Sequence, residues 1–465
     1  MKIIDRLRKQ SLLMVALLAT ITMAKAQLSG GGEANPDLLT NMEVLKEFRE
    51  NRFGMFIHWG PVALRGEEIG WSRSRQVPEE DYDNLYKEFN PILFNAAEWV
   101  QIAKQAGMKY IVLTTRHHDG FSLWDSEYSD YDMANTPYGK GVVKELADEC
   151  KKQGLDFGIY YSILDWWHPD YPKTRTATYY ERDSPEKIPM ADRGNMVRYV
   201  QYMKNQLKEL IELTDPSMIW FDGGWEWPWT HELGMDLYAY LRGLKDDMLI
   251  NNRIDKALHG VRIKEISNPE DYAGDYQTPE QRIGEFNNDI PWETCMTIAD
   301  QWAWKPNDKM KSKKECIQTL LQTVGGDGNL LFNVGPMLDG RIEQRQIDRL
   351  KEMGDWLKVN GEAVYGTRGG PYLPTDHLVS THKDNKIYLH LFKREGANLS
   401  LPFAKGTKIN KAYFLDGEIP VQIEQDKESV TISLPTGLPD DIASVLVLEL
   451  NKPANDINII KRVNY

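Results

Sequence analysis

Short apolar runs alternate with amphipathic stretches along most of the chain. Strand-length runs fall at 54–59, 109–115, 156–162, 217–222, 248–253, 294–298 and 329–334. Between several of them apolar residues recur every three or four positions, as in 96–106, 142–152 and 196–213, which is the period of a helix with one buried face. Strands that alternate with helices predict βα units and a parallel sheet. A span of about 330 residues fits an elaborated (β/α) TIM-like barrel better than one doubly wound domain. After residue 365 the texture changes. The runs 387–392, 409–415, 430–434 and 444–450 alternate in character and are separated by Gly, Pro, Asp and Asn, which predicts a C-terminal antiparallel β-sandwich. The expected organisation is a barrel over 37–366, a sandwich over 367–453 and a tail over 454–465.

The N-terminus modifies this picture. Lys2, Arg6, Arg8 and Lys9 precede an apolar run over 11–23, and Ala24-Lys25-Ala26 follows. This is the pattern of an export signal cleaved after Ala26, and the run is too short for a comfortable membrane span. A signal peptide over 1–26, a flexible leader over 27–36 and an exported mature chain, periplasmic or extracellular and without a membrane span, are therefore expected. Export permits disulfides, but Cys150, Cys295 and Cys316 are odd in number, far apart and match no zinc spacing, so unpaired buried thiols are expected. Composition is that of an ordinary globular chain, with 41% hydrophobic and 27% charged residues. The net charge of −13 argues against a nucleic-acid partner. Fourteen tryptophans admit two explanations, an indole-rich core or a sugar site in which C–H faces stack on the rings.

Polar residues close the apolar runs: Trp59, His117-His118-Asp119, Tyr161, Asp222 and Arg253. In a barrel the C-terminal strand ends form the active site. Asp222 ends the run Met218-Ile-Trp-Phe-Asp222 and is followed by Gly223, Gly224 and Trp225. It reads either as a fixed, partly desolvated nucleophile or as the cap of a turn. Glycoside hydrolysis needs a second carboxyl group, at about 5–5.5 Å for retention or about 6.5–9.5 Å for inversion. Glu270, Asp271, Asp275, Glu280, Glu285 and Glu293 are candidates, in the loop-rich stretch 267–291 or at its exit. Neighbouring strand residues face opposite ways, so His117 and His118 do not suggest a shared metal ion, and no cofactor is implied. Gly325-Gly-Asp-Gly328 lacks the Lys-Ser/Thr of a phosphate loop and precedes a strand, so it reads as a tight turn.

Seven segments in order resemble the motifs of the α-L-fucosidases of glycoside hydrolase family 29. They are Phe53-Gly-Met-Phe-Ile-His-Trp-Gly60, Arg116-His-His-Asp-Gly-Phe121, Gly158-Ile-Tyr-Tyr161, Trp220-Phe-Asp222, Trp292-Glu-Thr-Cys-Met-Thr297, Gly328-Asn-Leu-Leu-Phe-Asn-Val-Gly-Pro336 and Asn360-Gly-Glu-Ala-Val-Tyr365. The resemblance implies a barrel followed by a sandwich and metal-free retaining hydrolysis. It implies Asp222 as the nucleophile and Glu280, in Thr278-Pro-Glu-Gln281, as the acid/base, with Glu293 as the second choice. It implies that His58, His117, His118, Tyr161 and Arg253 bond fucose hydroxyls, and that Trp71 and Trp220 contact the sugar. Glu67 or Glu68 shares the Trp71 loop. The expected activity is exo-acting removal of terminal α-L-fucose from oligosaccharides or glycoconjugates, with segments 278–281 and 225–230 similar to members that favour α1,3/1,4 linkages. The competing readings are a non-catalytic carbohydrate-binding protein, a related glycosidase for another sugar and a metal hydrolase.

Overall fold

The structure is a computed structural model that describes residues 38, 40–175, 185–256, 273–394 and 396–460. The expected export signal and leader, Glu270 and Asp271 lie outside the described residues. Seven parallel strands follow the predicted runs: β1 (Phe53–Ile57), β2 (Tyr110–Arg116), β3 (Asp156–Ser162), β4 (Met218–Asp222), β5 (Leu249–Ile250), β6 (Glu293–Thr297) and β7 (Asn329–Val334). They form one curled sheet in the order β5-β4-β3-β2-β1-β7-β6. The longer helices are α1 (Met42–Asn51), α2 (Ala96–Gln105), α3 (Val143–Gln153), α4 (Met196–Thr214), α5 (His231–Leu244), α6 (Lys313–Gly325) and α7 (Gln344–Asn360). Several begin where a side chain satisfies the free N–H groups of the first turn: Asn95 for α2, Asn195 for α4, Thr230 for α5, and a reciprocal Ser312–Glu315 box for α6.

The sheet opens between β5 and β6, and an extended strip fills the opening. Asp275 N–H donates to Ile250 O (2.7 Å) and Asn252 N–H to Tyr276 O (2.9 Å) on one side. Glu293 N–H donates to Gln277 O (2.8 Å), Cys295 N–H to Pro279 O (3.1 Å) and Gln281 N–H to Cys295 O (3.0 Å) on the other. The bridges are parallel. Residues 275–281, expected within a loop, thus take the place of the missing strand and close the (β/α) barrel.

The C-terminal part is antiparallel, as expected. A six-stranded sheet contains β8 (Arg368–Gly369), β9 (Leu378–Lys383), β10 (Lys386–Leu391), β12 (Ile409–Phe414), β13 (Ile419–Pro420) and β16 (Ser444–Leu450). A three-stranded sheet contains β11 (Asn398–Pro402), β14 (Ile423–Gln425) and β15 (Ser429–Ser433). The period of two decides which way each residue packs. Tyr388, Val445 and Val447 join the barrel core, whereas Ile387, Leu389, Leu446 and Leu448 pack with Val430 and Ile432 of the smaller sheet. Gly325 lets α6 approach β9, since a Cβ there would lie 2.8 Å from the Val379 Cβ. In the turn that follows, buried Asp327 binds Arg52 and Arg368 at 2.6 Å each, tying the entries of β1 and β7 to β8. Among the described residues no helix is long and apolar enough to cross a membrane. All three cysteines are buried and unpaired.

Candidate active site

The C-terminal ends of the barrel strands surround a cavity of about 580 Å³. Alternation along each strand decides what reaches it. On β4, Trp220 and Asp222 face the cavity. Two glycines follow because the chain has no room for side chains: Gly223 has φ +89°, and a Cβ on Gly224 would lie 2.4 Å from Asp255 O. On β3, Tyr160 lines the cavity. Tyr161, expected at the sugar, points the other way, donates to Gln206 of α4 (2.8 Å) and packs against the Arg116 guanidinium. Contrary to expectation, Tyr161 does not line the cavity, and its neighbour Tyr160 does.

Of the candidate second acids that are described, only Glu280 borders the cavity. Asp275 is buried against Arg242, Tyr238 and Ile250 N–H, and Glu285 is exposed. Glu293 lies behind the wall, where it accepts from Tyr110 and from Trp220 Nε1 (3.0 Å). Burial pushes its carboxyl up to about 7. Glu293 thus braces Trp220 and does not line the cavity.

Asp222 and Glu280 meet at Arg253. Its Nη1 donates to Asp222 Oδ1 and to Glu280 Oε2, both at 2.9 Å. Its Nε and Nη2 hold Thr278 Oγ1 (2.8 Å) and O (3.0 Å). Burial works against the guanidinium charge, but Asp222 and Glu280 outweigh it and raise its pKa above the ordinary value. Arg253, expected to bond fucose hydroxyls, directs its whole described fork to the two acids and the strip that carries Glu280. Tyr160 Oη also donates to Asp222 (3.1 Å). The Asp222 side chain is 13% exposed and that of Glu280 43%, so the two acids differ in their access to water.

His58, His117 and His118 all line the cavity. His117 and His118 lie beyond the end of β2, where strand alternation no longer separates them, and their ring centroids are 4.0 Å apart. Asp119 turns away and accepts from Tyr82 Oη (2.6 Å). Among the described residues no group of three His, Cys, Asp or Glu side chains is placed to hold a metal ion. The hydrogen-bond network assigns two tautomers. Asn333 donates to Trp302 O, so its carbonyl oxygen faces His58 Nδ1 at 2.6 Å. Ser162 donates to Leu164 O, so its oxygen accepts from His118 Nδ1 at 2.7 Å. Both rings therefore carry hydrogen on Nδ1 and keep Nε2 as an acceptor. Burial pushes His58 down to about 3 and His118 well below the ordinary value, so both are neutral at physiological pH.

The tryptophans divide between the core and the cavity wall. Trp59, Trp99, Trp124 and Trp229 are core residues, whereas Trp71, Trp220, Trp225, Trp227 and Trp302 line the cavity. Trp302 comes from the loop after β6, which Glu68 anchors by accepting from Trp302 N and Ala303 N at 2.9 Å each. Glu68 thus supports the wall and is not part of it. Phe56, Glu226, Trp227, Lys256, Cys295 and Trp302 also border the cavity, and none of them is named individually by the sequence pattern, although Phe56, Cys295 and the 225–230 segment lie in stretches that resemble the family.

A parallel barrel whose strand ends bring two carboxylates together in an indole-walled cavity defines a glycoside hydrolase. The chain belongs to the α-L-fucosidase family, whose model, "Alpha-L-fucosidase", matches residues 19–362. It is 28% identical over 462 residues to the tissue α-L-fucosidase of Macaca fascicularis, covering 91% of this chain and 92% of that one. Among solved structures it is similar to α-L-fucosidase isoenzyme 1 of Paenibacillus thiaminolyticus, with 34% identity and a TM-score of 0.79 over 88% of this chain and 99% of that one. It is also similar to a family 29 α-L-fucosidase of Bacteroides thetaiotaomicron captured as a covalent intermediate (28% identity, TM-score 0.78, 89% and 97% coverage).

Proposed function

We propose that this α-L-fucosidase releases terminal α-L-fucose by double displacement, with Asp222 as nucleophile and Glu280 as acid/base. One observation carries the reading: a single nitrogen, Arg253 Nη1, lies 2.9 Å from both acids. The two contacted oxygens are therefore no farther apart than twice 2.9 Å. That suits the spacing of about 5–5.5 Å used for retention better than the about 6.5–9.5 Å that leaves room for a water in inversion. The similar Bacteroides thetaiotaomicron enzyme, trapped as a covalent intermediate with 2-fluoro-fucosyl fluoride in a glutamate-to-glutamine variant, supports the same reading.

In the first step Glu280 protonates the glycosidic oxygen while Asp222 attacks the anomeric carbon, and the fucosyl group becomes bound to Asp222. In the second, Glu280 takes a proton from water, which displaces Asp222 and releases fucose with retained configuration. Tyr160 and Arg253 orient the nucleophile. The free Nε2 atoms of His58 and His118 are suited to accept hydrogen bonds from sugar hydroxyls. Phe56, Trp220 and Trp302 offer apolar surface for the C5 methyl group. Segments 225–230 and 278–281 both contribute to the cavity wall, which supports a preference for α1,3/1,4 linkages. Proton NMR of fresh hydrolysates of α1,2-, α1,3-, α1,4- and α1,6-linked fucosides tests both points. The α anomer should appear first, and most rapidly from the 1,3 and 1,4 linkages; first appearance of the β anomer would refute retention, and equal rates would refute the preference. The N-terminal pattern supports export, for which the mature chain should begin at Gln27 on N-terminal sequencing; an intact Met1 would refute it.

A further inference from the structure

Trp225-Glu226-Trp227 reverses the usual order of burial. Glu226 is 8% exposed, while the two tryptophans are half-buried, and all three border the cavity. A charged group goes inside only when donors meet it. Among the described residues, donors come from the loop after β3: Trp166 Nε1 to Oε1 (3.1 Å), Tyr171 Oη to Oε2 (2.7 Å) and Thr174 Oγ1 to Oε2 (2.6 Å). The backbone is held from the other side, where Lys256 Nζ donates to the carbonyls of Trp225 (3.0 Å) and Glu226 (2.7 Å).

This clamp fixes a wall of indoles. Trp225 lies nearly parallel to Trp71, at 15° with centroids 6.1 Å apart. Trp166, one of the donors to Glu226, packs edge-on against Trp71 at 5.2 Å. Trp225 also stands edge-on to His118, which is 3.6 Å from Asp222, so the wall begins beside the nucleophile. Phe56, Trp220 and Trp302 already supply apolar surface near the histidines. A second aromatic surface in the same cavity suits the C–H face of another pyranose.

The geometry points to Glu226 as a positioning residue that holds Trp225 and Trp227, with Trp71 packed behind Trp225, against the sugar to which fucose is attached, so that the enzyme selects substrates by the ring of the leaving group. This rests on the proposed reading only for the place of bond cleavage. The test compares kcat/KM for α-L-fucosyl fluoride, whose leaving group has no ring, with that for a fucosylated disaccharide. Glu226→Gln and Trp225→Ala should each lose at least tenfold more on the disaccharide than on the fluoride, chiefly through KM. Adding Glu226→Gln to Trp225→Ala should change this ratio by clearly less than Glu226→Gln does alone, because the glutamate acts in part through that indole. Equal losses on the two substrates, or ratios that multiply in the double variant, would overturn the assignment. Should Glu226→Gln not fold, Tyr171→Phe removes one donor and should shift the ratio in the same direction; an unchanged ratio there would count against the clamp. Asp222→Asn tests the nucleophile alone, so the reading of the acids and the role of Glu226 can fail separately.

Discussion

Asp222 and Glu280 share one arginine, but the chain positions them by different means. Asp222 is the last residue of a strand paired along its length with β3, from Gly158 opposite Met218 to Ser162 opposite Asp222. Asn251 adds two bonds to the Phe221 backbone, at 2.8 and 2.9 Å. Glu280 sits on a strip joined to its neighbours by isolated bridges, between Pro279 and Gln281, whose φ is +50°. The comparison matches the two proposed tasks. A nucleophile gains from fixed geometry and little water, whereas an acid/base that serves first a leaving group and then a water needs an open side. Arg253 links the two arrangements, since the same side chain that pairs Asp222 also grips Thr278.

The sharpest way to break this comparison is to remove each acid and supply azide. Asp222→Asn should lower turnover by about 10⁴-fold or more. Any product formed with azide should then be the β-fucosyl azide, because azide replaces the missing nucleophile. Glu280→Ala should cost about 10²–10⁴-fold, and azide should restore turnover as the α-fucosyl azide by attacking the covalent intermediate. NMR of the two azides reads the roles directly. If Glu293→Ala gives the α-azide and Glu280→Ala does not, the acid/base lies behind Trp220 and the comparison fails.

A smaller effect concerns the third carboxyl group. Burial raises Glu293 to about 7 from an ordinary 4.5, so the folded state favours its protonated form. Its contribution to stability is fully present below pH 4.5, declines as pH rises and is lost above about 7. Glu293→Gln is neutral throughout. The difference in unfolding free energy should therefore move in favour of the variant by about 3 kcal/mol between these pH values. His58, held down at about 3, has the opposite dependence, losing stability as pH falls through the range below 6.5. It does so in both proteins and cancels from the difference. Denaturant unfolding at pH 4.5 and 7 measures the effect, and a constant difference would mean that Glu293 does not titrate in this range.

How far the sequence was legible follows the same division. The barrel runs and the sandwich strands announce themselves through their hydropathic period, and Asp222, His117 and His118 through their places at strand ends, whereas His58 and Trp220 follow only from the family resemblance. The strip over 275–281 has no such period, and Pro279 interrupts it, so its strand-like role comes only from tertiary bridges. Tyr161 closes its apolar run and ends its motif, but β3 is buried on both faces, and a run without polar alternation does not reveal which of its residues faces the cavity. His117 and His118 share one cavity because they have left the strand. Trp302 and Lys256 arrive from loops, where neither hydropathy nor strand phase indicates direction. Glu226 is illegible for another reason: a charged residue carries no mark of burial in the sequence, and donors from the distant loop after β3 meet it inside.

The central claim is a covalent bond between fucose and the end of β4. Incubation with 2-fluoro-fucosyl fluoride followed by peptide mapping tests it most directly. One fluorofucosyl label per chain is expected, on Asp222, with activity lost in proportion to labelling. A label on another residue, or an unlabelled chain that turns the reagent over with inversion, would contradict it.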